Sequence, residues 1–221
     1  MFAPTPFEPS IEIDSVTVGY RLGLPVVEGL SLSMTSPGLY RVAGSNGSGK
    51  STFLELLSGF LRPWSGSVRL CDIDAGSADA RQVRSVCRTS PALFPSMTVH
   101  DHLALAARSR RVRPEAGLAR LARYGLESWA EQPVSMLSTG NVRKLWLLMC
   151  TVADTPIVAM DEPFNGMDVQ GIDALIGELD EWARNKIVVL VSHTVPDELS
   201  ITHSFLFKKP EAEAQPDGQV H

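Results

Sequence analysis

Cysteine is scarce: Cys71, Cys87 and Cys150 are the only three in 221 residues. They are odd in number, far apart along the chain and form no C-x-x-C. That excludes a disulfide framework and, on these residues alone, a zinc ligand set. The pattern predicts reduced core thiols in a cytosolic protein. Long apolar runs are also missing. The best stretch, residues 145–160, contains Asp154 and Pro156 and falls short of the roughly 20 apolar residues that a bilayer span needs. Residues 1–10 have neither a basic region nor an apolar run, so no signal peptide is expected and the chain is predicted to stay inside the cell. Positive charge is in deficit, with 20 Lys plus Arg against 25 Asp plus Glu. The balance does not favour a bulk electrostatic drive toward nucleic acid, which leaves only a local basic patch open, and no nucleic-acid partner is expected. No internal repeat is visible. With 44% hydrophobic and 20% charged residues, the composition excludes collagen, coiled coil and a disordered chain.

What remains is one globular domain with room for an inserted lobe. Residues 1–10 are Pro-rich and are expected to form a flexible arm. Residues 11–20 alternate apolar and polar side chains, which predicts a strand, and 26–34 predict a second. Residues 39–43 predict a short strand running into a Gly-rich loop. Helical spacing follows over 52–61, with Phe53, Leu56, Leu57 and Phe60 on one face. A turn at 63–66 leads to a strand over 68–71, and another is expected near 83–87. From about 90 to 137 the texture is rich in Ala, Leu and Arg and predicts an inserted helical lobe. A helix over 138–153, a buried strand over 157–160, an amphipathic helix over 169–184 and an apolar strand over 187–191 follow. A last strand is expected over 201–207 and a disordered tail over 211–221. Strands alternating with helices predict an α/β fold with a parallel sheet.

Gly44-Ser45-Asn46-Gly47-Ser48-Gly49-Lys50-Ser51 fits G-x-x-x-x-G-K-[ST], between a predicted strand and a predicted helix. The chemistry explains the residue types. Glycines let successive N–H groups turn toward phosphate oxygens, and the following helix adds its positive end. A lysine here reaches the β- and γ-phosphates, and the Ser51 hydroxyl is a ligand for Mg²⁺. About 110 residues downstream, Ile157-Val158-Ala159-Met160 ends in Asp161-Glu162, which puts two carboxylates at the strand end where open α/β sheets bind ligands. Asp161 is placed to hold the metal shell and Glu162 to polarise a water. A third buried strand delivers Ser192-His193 to the same edge, where an imidazole can bond a phosphate or the attacking water.

Leu137-Ser138-Thr139-Gly140-Asn141 stands before the Asp161 strand, at the start of a predicted helix. With the P-loop, Asp161-Glu162-Pro163 and Ser192-His193, it resembles the nucleotide-binding subunit of an ABC transporter over about residues 11–207. The resemblance implies a P-loop NTPase with a RecA-like core, an N-terminal antiparallel β part and an inserted helical lobe. It implies ATP and Mg²⁺ as ligands, ATP hydrolysis at a dimer interface, a second copy or a paralogue as partner, and a separate integral membrane subunit. The chain would then sit on the cytoplasmic face of the membrane. By the same resemblance Tyr20 stacks on adenine, and Gly44, Ser45, Asn46, Gly47, Ser48, Gly49, Lys50, Ser51 and Thr52 hold the phosphates. Ser138 and Gly140 contact the γ-phosphate bound by the other subunit. Asp168 falls at the D-loop aspartate and His193 at the switch histidine.

Two positions depart from the family. Its loop glutamine, which touches the metal shell, is replaced by Thr89, a side chain shorter than Gln. The last signature residue is Asn141. The glutamine-less loop and Glu162-Pro163-Phe164-Asn165-Gly166 are reminiscent of the branch that includes antibiotic and polysaccharide exporters. A regulatory, weakly hydrolysing subunit and a soluble non-transport ATPase stay open as alternatives. Two other features have simpler readings. His100 and His102 are two apart on a predicted helix and do not share a face, so they predict no metal site. The basic run Arg108 to Arg113 predicts a solvated helix end.

Overall fold

The structure, a computed structural model, describes residues 7–207. The tail expected over 211–221 lies outside them, as do the first six residues of the expected arm. Ser10, at the arm's end, accepts a hydrogen bond from the Cys71 amide.

The alternating segment forms β1 (Ile11–Val18), with Ile11, Ile13, Val16 and Val18 buried. It pairs antiparallel with β2 (Val27–Met34) on one side and β4 (Ser65–Leu70) on the other, and the two-residue β5 (Ile73–Asp74) completes this sheet. The second sheet has the order β6-β7-β8-β3-β9, and every pair in it is parallel. Its strands are β3 (Gly38–Gly44), β6 (Arg84–Cys87), β7 (Ile157–Asp161), β8 (Ile187–Val191) and β9 (His203–Phe207).

The apolar runs follow from burial on both faces. Ile157 and Ala159 of β7 face one core, with Ile187, Val189 and Val191 of β8. Val158 and Met160, with Val188 and Leu190, face the other. The first core lies against the antiparallel sheet and α1 (Lys50–Ser58). The second lies against α2 (Val99–Ser109), α4 (Thr139–Cys150) and α5 (Val169–Trp182). Between about 90 and 137 the chain carries α2, the single-turn α3 (Glu115–Leu118) and two short 3₁₀ turns.

Several local expectations change. Helix α1 stops at Ser58 because Gly59 adopts φ 68° as its cap. Phe60 therefore leaves the predicted buried face and is 73% exposed, with the Arg88 guanidinium 4.8 Å above its ring. His102 is fully buried. Its Nε2 accepts the Phe94 N–H at 2.9 Å, so Nδ1 carries the proton donated to the Thr98 carbonyl at 2.8 Å; both ring nitrogens are used internally. In the basic run, Arg110 does not simply dissolve into solvent but donates to the Arg84 carbonyl on β6. Cys87 and Cys150, distant in sequence, meet where α4 packs on β6. The neighbouring Cys87 and burial push the Cys150 thiol well above the ordinary range, which makes it a poor nucleophile; Cys87 is buried and Cys150 half-buried.

A buried ionic cluster ties the lobe to α5. Arg120 is bidentate to Glu178, with Nε to Oε1 at 2.7 Å, and the Tyr124 hydroxyl donates to Oε2 at 2.7 Å. Burial and the Glu178 charge hold the Tyr124 phenol well above its usual range. The Glu178 side chain is 4% exposed. Arg120→Ala strands its charge and is expected to cost about 3–5 kcal/mol, read as a lower urea midpoint. Replacing both residues by Leu should recover part of that loss.

Candidate nucleotide site

Parallel pairing brings the chemistry to one sheet edge. The C-terminal ends of β3, β6, β7 and β8 point the same way, with Cys87 opposite Met160 and Val191 opposite both Asp161 and Val42. The residues just beyond these ends are the P-loop, Thr89, Glu162 and His193. They line a cleft of about 640 Å³ together with Tyr20, which follows β1.

Two of the loop glycines are dictated by space and backbone. Gly44 has φ +154°, and a Cβ there would lie 2.4 Å from the Phe207 carbonyl and 2.6 Å from Ser48 Oγ. Gly49, at φ +95°, caps α1, and a Cβ would lie 2.7 Å from Val27. Lys50 is 8% exposed. Its Nζ donates to the carbonyls of Gly44 at 2.7 Å and Ser45 at 3.0 Å. An ammonium has three protons, so one donor remains for a ligand in the loop. Ser48 Oγ is buried without a hydrogen-bond partner among the described residues. The cradle thus combines a spare buried cationic donor and a helix N-terminus, a set that fits an anionic phosphate. The Tyr20 ring lines the cleft and is 62% exposed, its hydroxyl 3.4 Å from Thr52 Oγ1. An exposed flat ring beside an anion cradle suits a base attached to phosphates.

At the opposite wall, Glu162 has φ +45°, an unusual conformation for a side chain of this kind. Its carboxylate is held at both ends: Oε2 accepts the Ser192 hydroxyl at 2.9 Å and Oε1 accepts the His193 amide at 2.9 Å. The Thr89 hydroxyl donates to Asp161 Oδ2 at 2.6 Å. Thr89, shorter than Gln, thus contacts the Asp161 carboxylate itself. A hydroxyl from Ser51 and the carboxylate of Asp161 form a hard oxygen donor set of the kind Mg²⁺ prefers.

Other expected site residues stand elsewhere. Ser138 N-caps α4 by accepting the Asn141 N–H at 3.2 Å, and Gly140 lies so close to the Gly166 carbonyl that a Cβ would approach it to 2.8 Å. Asp168 N-caps α5 through the Gly171 N–H and pairs with Lys144 at 2.7 Å. That hydrogen bond to Lys144 holds the Asp168 carboxyl below the usual range. Its contribution is present above the ordinary aspartate range and fades as pH falls through the depressed value. None of these three lines the cleft of its own chain. Gly44, Ser45 and Ser48, expected to hold phosphates, do not line the cleft either. Sequence reasoning did not assign Asn165 and Thr194, which line the cleft, or Ser192 as a carboxylate partner. Their position next to Glu162 and His193 was the available signal.

Fold and cleft together define a P-loop nucleotide-binding α/β protein. The family model described as "ABC transporter" matches residues 27–165. The chain belongs to the ABC transporter family, as one of its ATP-binding ATPase units. It is 34% identical over 181 residues to ATP-binding cassette sub-family A member 7 of Rattus norvegicus, a match covering 78% of this chain and 8% of that protein. It is 33% identical to Nod factor export ATP-binding protein I of Paraburkholderia xenovorans, covering 89% of this chain and 66% of that one. The manganese transport system ATP-binding protein MntB of Bacillus subtilis is 30% identical, with 83% and 76% covered. The chain thus spans 8% of the length of the rat and mouse proteins it matches. Among solved structures, a nucleotide-free ATP-binding cassette from an ABC transporter superposes with a TM-score of 0.74 at 18% identity, covering 91% of this chain and 90% of that one. That likeness speaks to fold. Among the described residues, no helix is long and apolar enough to cross a membrane.

Proposed function

We propose that the chain binds and hydrolyses Mg-ATP between two such subunits, a second copy or a paralogue, and so drives transport through a separate membrane subunit on whose cytoplasmic side it sits. Relatives named for export and for manganese transport share the ATP-binding unit, and we favour export on the Glu162-to-Gly166 sequence. The observation that carries the reading is the division of parts. Lys50, Asp161 and Glu162 share one cleft, whereas Ser138 and Gly140 stand outside it. A signature that cannot reach its own nucleotide has a use when a second chain presents a γ-phosphate to it.

In this reading Tyr20 packs on the base, and the third proton of Lys50 meets the β- and γ-phosphate oxygens. Ser51 and Asp161 would hold Mg²⁺, which supplies charge neutralisation across those phosphates. Glu162, fixed by Ser192 and His193, takes a proton from the attacking water as its oxygen bonds the γ-phosphorus. The bond to the β-phosphate oxygen breaks, and ADP leaves with that electron pair. The His193 side chain positions the γ-phosphate from the cleft wall.

The test is Mg-ATPase turnover of the purified chain across protein concentration, with Glu162→Gln as blank. Turnover rising more steeply than linearly is the expected result; strict proportionality at all concentrations rejects the shared site. A second reading, a slowly hydrolysing regulatory subunit, draws on the Thr89 hydroxyl that occupies one oxygen of Asp161. ATP binding without turnover would favour it.

A further inference from the structure

We infer that Arg143 is a positioning residue for hydrolysis, joining the catalytic end of β7 to the helix that begins with the signature, so that the two sites of a dimer are mechanically coupled. The inference rests on the proposed roles of Glu162 and Ser138.

One guanidinium meets four main-chain carbonyls. Nη1 donates to Arg88 at 3.1 Å and to Thr89, and Nη2 donates to Asp161 at 2.7 Å and Glu162 at 2.8 Å. Arg143 is 5% exposed, and no carboxylate pairs with it among the described residues. A buried, unpaired cation is costly, and a leucine could fill the volume without that cost. What a leucine cannot do is bind two chain segments at once with a planar fork.

The position of the fork explains its use. Strands β6 and β7 stop pairing at Cys87 and Met160. Beyond that pair, Arg88-Thr89 and Asp161-Glu162 no longer pair with each other, although Asp161 still pairs with Val191 of β8, and these four are the residues that Arg143 bridges. The guanidinium thus replaces the missing sheet hydrogen bonds where the catalytic groups emerge. It sets the distance at which the Thr89 hydroxyl meets Asp161, and it anchors the main chain of Glu162. Trp146, three residues along the same helix and so on the same face, donates from Nε1 to the Arg88 carbonyl at 2.9 Å. Arg88 in turn reaches Glu55 on α1 at 2.7 Å. Helix α4 therefore grips the segment that links the P-loop helix to the carboxylates. Ser138, little more than one turn before Arg143, is the exposed N-cap of the same helix. A pull on Ser138 by a neighbouring chain's nucleotide is transmitted through a rigid helix to Arg143, and from there to Thr89 and Glu162.

The experiment uses the full chain with Arg143→Gln, Arg143→Lys and Thr89→Val. ATP affinity is read with a fluorescent analogue, turnover as kcat, KM and Hill coefficient, and local order by amide exchange in residues 87–90 and 160–163. For Arg143→Gln the expected result is ATP affinity within about three-fold of the parent, kcat lower by roughly 30-fold or more, and loss of cooperativity. Exchange should quicken in those two segments and not in α1. Arg143→Lys should restore part of kcat, and Thr89→Val should show a smaller loss with cooperativity kept. An unchanged kcat and Hill coefficient overturns the inference. So does a loss of affinity equal to the loss of kcat, which marks a merely structural role. If Arg143→Gln does not fold, Arg143→Lys carries the same comparison, and full parental kcat and cooperativity in it overturns the need for the fork. If the parent turns over no faster than Glu162→Gln, the hydrolysis reading fails instead. The exchange arm still judges Arg143, since equal exchange in parent and variant would reject its bridging role.

Discussion

Lys50→Ala is expected to weaken Mg-ATP binding by about two to three orders of magnitude, with the chain still folded. Two losses combine. The Nζ is the one cation buried in the phosphate loop, and its spare proton is the donor aimed at the ligand. Removing one partner of a buried charge contact costs about 3–5 kcal/mol, and each 1.4 kcal/mol is about ten-fold in affinity. The same ammonium also holds the Gly44 and Ser45 carbonyls, so the loop loses its brace even before ligand arrives. The flanking β3 and α1 are held by sheet pairing and core packing that do not involve Nζ, which limits the damage to stability. Arginine is not an equivalent replacement: its fork is too wide to take both loop carbonyls and a phosphate from within a tight turn. Titration calorimetry with Mg-ATP, alongside circular dichroism as a fold control, checks this. Affinity within three-fold of the parent would mean that the loop does not hold phosphate in this way.

How much of this was legible in the sequence depends on how local each feature is. The strand at residues 187–191 is five apolar residues buried on both faces, and its bounds emerge as read. The loop from Gly44 to Ser51 and the Asp161-Glu162 strand end could be read because backbone geometry and sheet polarity dictate residue types at fixed positions. Helix α1 was over-extended because Phe60 keeps the apolar period, whereas the αL turn at Gly59 ends the helix before it. The strand β5 is two residues long and leaves no period to detect. Contacts from side chain to main chain were invisible for a different reason. Arg143 looks like any helical arginine until β6 and β7 are placed beside each other, and the reach of Thr89 depends on how close those strand ends lie. Likewise, Cys87 and Cys150 are 63 positions apart in sequence and touch only because α4 packs on β6. Pattern reveals which groups the fold delivers to the edge; tertiary packing decides which of them touch.

Glu162→Gln should keep ATP binding, lower turnover by roughly 10²–10⁴-fold, as expected for removal of a general base, and hold two chains together on unhydrolysed ATP. The substitution isolates chemistry from geometry because its surroundings can accept it. The amide oxygen can still receive the His193 N–H that Oε1 now accepts. The amide nitrogen would face Ser192 Oγ, whose single proton has two acceptors within reach, Glu162 Oε2 and the Thr194 carbonyl. A hydroxyl donates one proton and accepts through its lone pairs, so Ser192 can keep the bond to Thr194 and accept from the new amide. Gln is also nearly the same size, so the φ of +45° at this position is no more strained than before. What is lost is the carboxylate's capacity to take a proton from water. With the base gone, the γ-phosphate persists. It then continues to engage Lys50 on one chain and, in the proposed arrangement, the Ser138 helix end on the other. Size-exclusion chromatography with Mg-ATP should show the variant as a dimer, and the parent returning to monomer as ATP is consumed. A variant that turns over at the parental rate would remove Glu162 from the role of base. Retained binding with lost turnover but no dimer would instead place the helix end at Ser138 outside the site.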